Sequence, residues 1–445
     1  VVNRIWVRIS LTNIRSSNVI EVISLKVLII TNLYPYRENI SSGIFITKRL
    51  SCYKKFNVSY KAIAPSFKNT GALIRLYRII LRKKAVHPIE KLYDVTYNPV
   101  YINRNFLRAL AEKLITKVKK VKQYTESFVE KIADEISEDW DIIHAHGMYL
   151  PVPAGMVAMK LSKRLKVPYI VTLHGSDVNF HMVDEMLRDV YIEALENASK
   201  CIFVSNALLE KAKSYGYSGR NAVVIPNGYD HEIFKPMDKD EVRKGLGIYE
   251  EGYKYVGFVG NLIPVKRADK LGEIFRYINQ EYPQTRFIVV GEGYLRKDIE
   301  EQTKGLEIVF TGMVSQEKVA EYMNAMDVMI LPSRNEGFPT VVNEAQACGT
   351  CVVGSSNGGI PEAIGFEEYV VKDGDDFEER IADKVVEILR NGYDPERLIN
   401  KVANFTWENI VKKEVEVYRE VIERNDKPLR DEGFANSSTE LRKGE

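Results

Sequence analysis

The chain is poor in several things that would have pointed elsewhere. It has four cysteines in 445 residues, so no disulfide framework is expected, and a reducing compartment suits it. No apolar run approaches the roughly eighteen residues that a membrane span needs. The formal net charge is only +2, which excludes a molecule-wide nucleic-acid footprint. Arg4 and Arg8 are not followed by a sustained apolar core and a small-residue cleavage site, so a signal peptide is not expected. A cytoplasmic location follows as the default. Metal chemistry also lacks its usual signs. Cys348 and Cys351 form a C-x2-C, but Cys52 and Cys201 are isolated, and the six histidines do not pair with them at ligand spacing. A zinc site would want that second pair. Both cysteines stand where a helix ends and an apolar strand begins, and they read as small buried residues. The triplets Asp238-Lys239-Asp240 and Asp373-Gly374-Asp375 read as solvated surface. No metal and no cofactor is expected.

What is present is alternation. Strand-like runs at 26–31, 58–64, 142–144, 169–173, 201–205 and 223–225 are separated by helical patterns. A second set follows at 255–260, 287–291, 307–311, 327–331 and 351–354. This pattern predicts α/β architecture with parallel sheets covered by helices on both faces. Residues 1–24 have no clear period and stand apart as an extension. A helix is expected from 407 to about 424, and the polar tail from 426 to 445 is expected to be disordered.

The most informative segment runs from Pro332 to Ala345. A buried strand leads into Pro332-Ser333-Arg334-Asn335-Glu336-Gly337-Phe338-Pro339, and Pro339 or Thr340 opens a helix that Gly349 ends. Glu336 thus lies in the loop and Glu344 inside the helix. Ligands of open α/β sheets bind beyond the carboxyl ends of strands. Helix N-termini there suit phosphate. Two carboxylates beside an anion site need other partners, and sugar and ribose hydroxyls are natural ones, because a carboxylate accepts their hydrogen bonds strongly. The segment reads as a nucleotide-sugar site.

The spacing Glu336 to Glu344, with Pro332-Ser333, Glu336-Gly337-Phe338-Pro339 and Glu344-Ala345 around it, resembles the E-x7-E segment of retaining GT-B glycosyltransferases, in particular family 4. The resemblance implies that Glu344 holds the ribose and that Glu336 lies near the donor sugar. Val259-Gly260-Asn261-Leu262-Ile263-Pro264-Val265-Lys266-Arg267 resembles the family's G-R-L-x-x-x-K segment, whose arginine and lysine hold the diphosphate. Lys266 matches the lysine, Asn261 replaces the arginine, and Arg267 is the candidate substitute. Gly291, Glu292 and Gly293 match a glycine loop of the family. Gly358-Gly359-Ile360-Pro361-Glu362 matches another turn, which either lies near the donor or is structural. In the first half, His174 in Thr172-Leu173-His174-Gly175 is implied to lie near the donor sugar. Gly43 matches the loop that approaches the reacting centre. For His144 and His146 a structural and a cleft-lining reading stay open. The matched motifs run from about Leu28 to Glu362.

The resemblance implies two doubly wound Rossmann-like domains facing a cleft. An acceptor-side domain would span 25–231, a nucleotide-sugar domain 232–406, and a helix crossing back 407–425. Implied catalytic residues are His174, Lys266 and Glu336. Implied donor contacts are Gly43, Asn261, Lys266, Arg267, Gly291, Glu292, Glu336, Gly337, Phe338, Pro339, Thr340 and Glu344. The implied reaction moves a sugar from a nucleoside diphosphate sugar to a hydroxyl acceptor, with retention, in polysaccharide, glycolipid or glycan biosynthesis. A nucleotide-sugar 2-epimerase shares the fold, and a non-catalytic nucleotide-sugar-binding partner subunit is the alternative from another class. Residues 68–124 carry 14 Lys or Arg against three acids. That composition suits docking on an anionic membrane, peripherally on its inner face, and so a lipid-linked acceptor. An ordinary solvated helix face is the plainer reading. Nucleic acid is not expected, because no recognition motif accompanies the charge.

Overall fold

Strands buried on both faces of a parallel sheet read as near-continuous apolar runs. The computed structural model describes residues 24–37, 42–69, 88–104, 107, 114–136 and 139–426, and it bears this out. Every residue of β5 (Ile142–His146), β6 (Tyr169–Leu173), β12 (Val328–Leu331) and β13 (Cys351–Ser355) is buried. The first sheet also contains β1 (Leu25–Thr31), β2 (Val58–Asn69), β3 (Lys91–Leu92), β4 (Val95–Arg104), β7 (Lys200–Phe203) and β8 (Ala222–Val224). Its order is β3-β4-β2-β1-β5-β6-β7-β8, and only β3 and β4 pair antiparallel. The second sheet adds β9 (Lys254–Val259), β10 (Thr285–Val290), β11 (Ile308–Gly312) and β14 (Val370–Val371). Its order is β11-β10-β9-β12-β13-β14. These are the two Rossmann-like layers of the GT-B architecture. The winding reverses at β1/β5 and at β9/β12, and ligands of such sheets bind at the reversal. The loops after β9 and β12 therefore carry the second domain's candidate residues.

β4 is a strand that the sequence does not announce. Pro99 argues against a central strand, and the surrounding charge hides the period. Yet Val95, Tyr97, Val100 and Ile102 are buried, and the far neighbour of β4 is only the two-residue β3. A proline without an N–H is tolerated that near the edge. The run around Arg82, Lys83 and Lys84, residues 1–23 and the tail from 427 lie outside the described residues.

The chain passes between the domains twice, side by side. The Tyr229 N–H donates to the Phe405 carbonyl at 2.9 Å, and the Trp407 N–H donates to the Tyr229 carbonyl at 3.1 Å. A Cβ on Gly228 would stand 2.9 Å from Trp407 Cα, so only glycine allows the two crossings to touch. The final helix, Trp407–Asp426, then packs on the first sheet. Its Ile410, Val411, Val415 and Tyr418 join Val27, Ile29, Ile142 and Ile170 in one core.

Candidate active site

The loop after β9 makes a tight 3-10 turn, Pro264–Lys266. The loop after β12 lies against it, and Arg334 clamps the two together. The Arg334 N–H donates to the Val265 carbonyl at 2.8 Å. Its guanidinium donates to the Asp269 carboxylate at 2.6 and 2.8 Å and to the Pro264 carbonyl at 2.5 Å. These bonds hold Asp269 below the usual carboxylate range. The result is that Lys266 Nζ donates to Glu336 Oε1. The two side chains keep 23% and 13% of their exposure, so the pair is half-buried but can be reached.

Glu336 leads directly into the cleft. Gly337 packs on the first domain, and a Cβ there would stand 2.2 Å from the His174 carbonyl oxygen. Phe338 is buried. Pro339 then occupies the N-cap of the helix Thr340–Ala347, with no side chain capping it. This helix start follows Glu336 by four residues, and a helix start offers N–H groups and a positive dipole end that suit an anion. Glu344 lies one turn in. Burial pushes its carboxyl up to about 7, and a hydrogen bond from Thr340 pulls the other way.

Across the cleft, His174 closes β6. The Asp177 carboxylate shapes this turn by accepting N–H groups from His174 at 2.9 Å, Gly175 at 2.8 Å and Val178 at 3.0 Å. Its own pKa is raised to about 6 by burial. The His174 ring lies 4.6 Å from that of Phe45, two residues after Gly43, which holds φ 63°. His174 Nε2 is 3.2 Å from His146 Nδ1, while His174 Nδ1 and His146 Nε2 have no partner among the described residues. Burial holds both imidazoles well below their ordinary pKa, so both are neutral at physiological pH. His144 is structural by contrast. Its ring nitrogens meet the Tyr418 hydroxyl at 2.6 Å and the Thr172 hydroxyl at 2.7 Å. A cleft of about 440 Å³ opens beside this region, lined by Asn179 and Lys211 of the first domain and Asn335, Glu336 and Asn357 of the second.

Residues 97–233 match the model described as Glycosyltransferase Family 4. Residues 253–391 match the one described as Glycosyl transferases group 1. A protein of Bacillus subtilis named as a putative teichuronic acid biosynthesis glycosyltransferase, TuaC, is 30% identical over 78% of this chain and 85% of its own length. The chain belongs to the group 1, family 4 glycosyltransferases. Its activity is nucleotide-sugar-dependent glycosyl transfer. This glycosyltransferase is also 27% identical to the N-acetyl-alpha-D-glucosaminyl L-malate synthase of Bacillus anthracis, over 70% of this chain and 81% of that one. Its fold matches Anabaena HepE solved with UDP and glucose, with a TM-score of 0.63 at 18% identity, covering 89% of this chain and 100% of that one.

Arg267, the candidate substitute for the arginine missing at Asn261, is engaged in ion pairs in this glycosyltransferase. Its guanidinium donates to Asp373 at 2.7 and 2.8 Å, lies 3.7 Å from Glu378 and stacks 4.0 Å over Phe377. Asp373 is correspondingly an ion-pair partner and no free surface acid. Asn261 is exposed, which leaves Lys266 as the cation beside Glu336. Gly291 is bonded to Gly312 through its N–H at 3.0 Å, and Glu292 pairs with Arg296. Among the described residues no cluster of three or more His, Cys, Asp or Glu could hold a metal ion. Cys52, Cys201, Cys348 and Cys351 are free and buried. No described helix is long and apolar enough to cross a membrane.

Two features of the site escaped the sequence. Arg334 stood within the quoted motif without a role, because its partners lie 65 and 70 residues away. Glu414 had one local signal: it is a charge on the otherwise apolar stripe of Ile410, Val411, Val415 and Tyr418. It proves to be fully buried against Arg49 at 2.5 Å.

Proposed function

We propose that this enzyme is a retaining transferase that moves a sugar from a nucleoside diphosphate sugar to a hydroxyl acceptor by front-face displacement. The Lys266–Glu336 pair at the β9/β12 reversal carries this reading. When the donor enters, Lys266 turns from Glu336 to the diphosphate, and Glu336 is freed to accept from a sugar hydroxyl. The helix N–H groups after Pro339 share the phosphate charge. Neutral His174, whose buried Nδ1 has no partner among the described residues, is assigned a place beside the sugar on the other side. The acceptor oxygen bonds to the anomeric carbon on the face from which the diphosphate leaves, and the acceptor proton passes to a departing phosphate oxygen. Stabilising that leaving group is the main catalytic task, and this scheme assigns no step to a metal. Incubation with labelled nucleotide sugars and a lipid extract should give a glycosylated product with the donor's anomeric configuration. Free 2-epimerised sugar would instead make the chain an epimerase, and binding without turnover would make it a partner subunit.

Glu344 is assigned to the ribose hydroxyls. Glu344→Ala should cost about 1.5–3 kcal/mol of nucleoside diphosphate binding, or roughly ten- to a hundredfold in affinity by calorimetry. Because burial raises the carboxyl from 4.5 to about 7, affinity should rise between pH 6 and pH 8 as the carboxylate forms. The sign for stability is opposite. A raised acid pKa favours the folded state while protonated, and that contribution is lost as pH climbs from 4.5 toward 7. Glu344→Gln should therefore flatten the affinity profile and stabilise the ligand-free protein at pH 8. A profile unchanged by the substitution would remove the ribose assignment.

Residues 68–124 are assigned to an anionic membrane surface, with a lipid-linked acceptor presented there. The local charge supports this. The protein should co-sediment with anionic liposomes, and added salt should release it. Changing Arg82, Lys83 and Lys84 to glutamine should weaken binding by about 1 kcal/mol per charge, with donor hydrolysis in solution unchanged. Equal sedimentation with neutral and anionic vesicles would sink the assignment and favour a soluble acceptor.

A further inference from the structure

Glu362 belongs to the second domain, on the short helix Ile360–Ile364, yet its carboxylate caps a helix of the first. Its Oε2 accepts from the Asn206 backbone N–H at 2.8 Å and from Asn206 Nδ2 at 2.9 Å. Its Oε1 accepts from the Ala207 N–H at 2.7 Å. These N–H groups open the helix Asn206–Ser214. A helix start leaves such donors without partners and favours negative charge. Ser205, the N-cap of the same helix, accepts from the Leu208 N–H at 3.2 Å and donates its hydroxyl to the Gly337 carbonyl at 2.7 Å. Within the second domain, the Gly359 N–H donates to the Glu336 carbonyl at 3.1 Å. One helix turn of the first domain thus holds both loops of the second, and one of those loops carries Glu336.

We propose that Glu362 is a positioning residue, a latch that keeps the two domains closed and seats the Glu336–Gly337 loop against His174 without touching the donor. The joint is packed too closely for any side chain larger than glycine's. A Cβ on Gly359 would stand 2.0 Å from the Gly337 carbonyl oxygen, and one on Gly337 would stand 2.9 Å from Gly175 Cα. The joint is backbone on backbone, and the Glu362 carboxylate, the Asn206 amide and the Ser205 hydroxyl hold it. Opening the cleft breaks the three bonds to Glu362 and the one from Ser205 together. A latch of this kind sets the fraction of molecules ready for donor, and apparent affinity scales with that fraction. This inference rests on the cleft being the donor site.

The test uses the full chain, spin-labelled at Lys163→Cys and Glu379→Cys. Both positions are exposed, one in each domain, and the four described native cysteines are buried. Pulsed dipolar spectroscopy should give a narrow interdomain distance distribution for the parent and a broader one, extended to longer distances, for Glu362→Ala. Glu362→Gln keeps one acceptor without the charge and should fall between them. Ser205→Ala serves as the second variant should Glu362→Ala fold poorly. If the closed fraction drops to about a tenth, UDP or GDP affinity should fall roughly tenfold. Saturating nucleotide should narrow the distribution again, and kcat at saturating donor should recover most of its loss. A purely structural role would lower the melting temperature and leave the distribution and the nucleotide affinity unchanged, and that result would overturn the latch. Broadening in a chain that binds neither UDP nor GDP would keep the latch and sink the donor-site reading instead.

Discussion

Replacing Lys266 by alanine is expected to lower kcat by roughly a hundred- to a thousandfold, the cost of losing a group aimed at developing charge. Binding of nucleoside diphosphate should weaken much less, because charge on the leaving phosphate grows as the glycosidic bond breaks. The expectation is sharper here than the bare motif would make it. Arg267 is held by Asp373 and Glu378, and Asn261 carries no charge. Lys266 is then the cation placed against Glu336, with Arg334 itself tied to Asp269. Steady-state kinetics over a range of donor concentrations checks this. A rise in KM with kcat unchanged would mean uniform binding and no transition-state role. The companion change, Asn261→Arg, should leave activity equal or higher. If it abolishes turnover in a folded protein, the diphosphate lies elsewhere than proposed.

Glu414→Ala should destabilise the protein by about 3–5 kcal/mol, because it leaves the Arg49 guanidinium buried and unpaired. That is a large share of the roughly 5–15 kcal/mol by which a domain is folded. Arg49 and Glu414 are both fully buried, 2.5 Å apart. The Tyr53 hydroxyl donates to Glu414 Oε1 at 2.6 Å, and the Tyr418 hydroxyl lies 2.9 Å from the same oxygen. Against the burial that would raise it, the charge of Arg49 and the hydrogen bonds from Tyr53 and Tyr418 hold the Glu414 carboxyl below its ordinary 4.5. A depressed acid pKa means that the pair contributes fully above pH 4.5 and is lost in more acid solution. Glu414→Ala should flatten the acid limb of the stability curve as well as lower it. Thermal melts from pH 3 to pH 8 read both effects. Pairing Glu414→Met with Arg49→Met should recover much of the loss, since two apolar groups leave no orphan charge. A Glu414→Ala protein that melts like its parent would show the pair to be dispensable.

The same network bears on the site. His144 is bonded to Tyr418 on the final helix and to Thr172 on β6, and its ring lies 4.0 Å from that of His146. The helix that crosses back from the second domain therefore supports the floor beneath His146 and His174. Loosening it should lower activity through the first domain even though no donor contact is touched.

Much of this was legible in the residues because it is local. Parallel strands announce themselves as apolar runs, and the strand, loop and helix from Val328 to Ala347 follow from apolar content, Pro339 and Gly349. Glu336 and Glu344 stood out because a strand end followed by a helix start suits a phosphate with hydroxyls beside it, and Lys266 through the resemblance of its segment to the family's. The sequence also determined that there would be two α/β layers, since alternation of strand and helix admits few other packings. The tertiary structure alone decided how charges pair. Arg267 and Asp373 lie 106 residues apart, Arg49 and Glu414 365, and Ala207 and Glu362 155. No periodicity spans such distances, and which carboxylate a guanidinium meets depends on where two loops land after the sheets have formed. β4 was hidden for a related reason. Pro99 speaks against a strand locally, and only its place near the edge of the first sheet makes it acceptable. Local sequence decides which elements form, because backbone and burial preferences act over a few residues. The approach of distant side chains decides what those elements do, because hydrogen bonds and ion pairs act over a few ångströms.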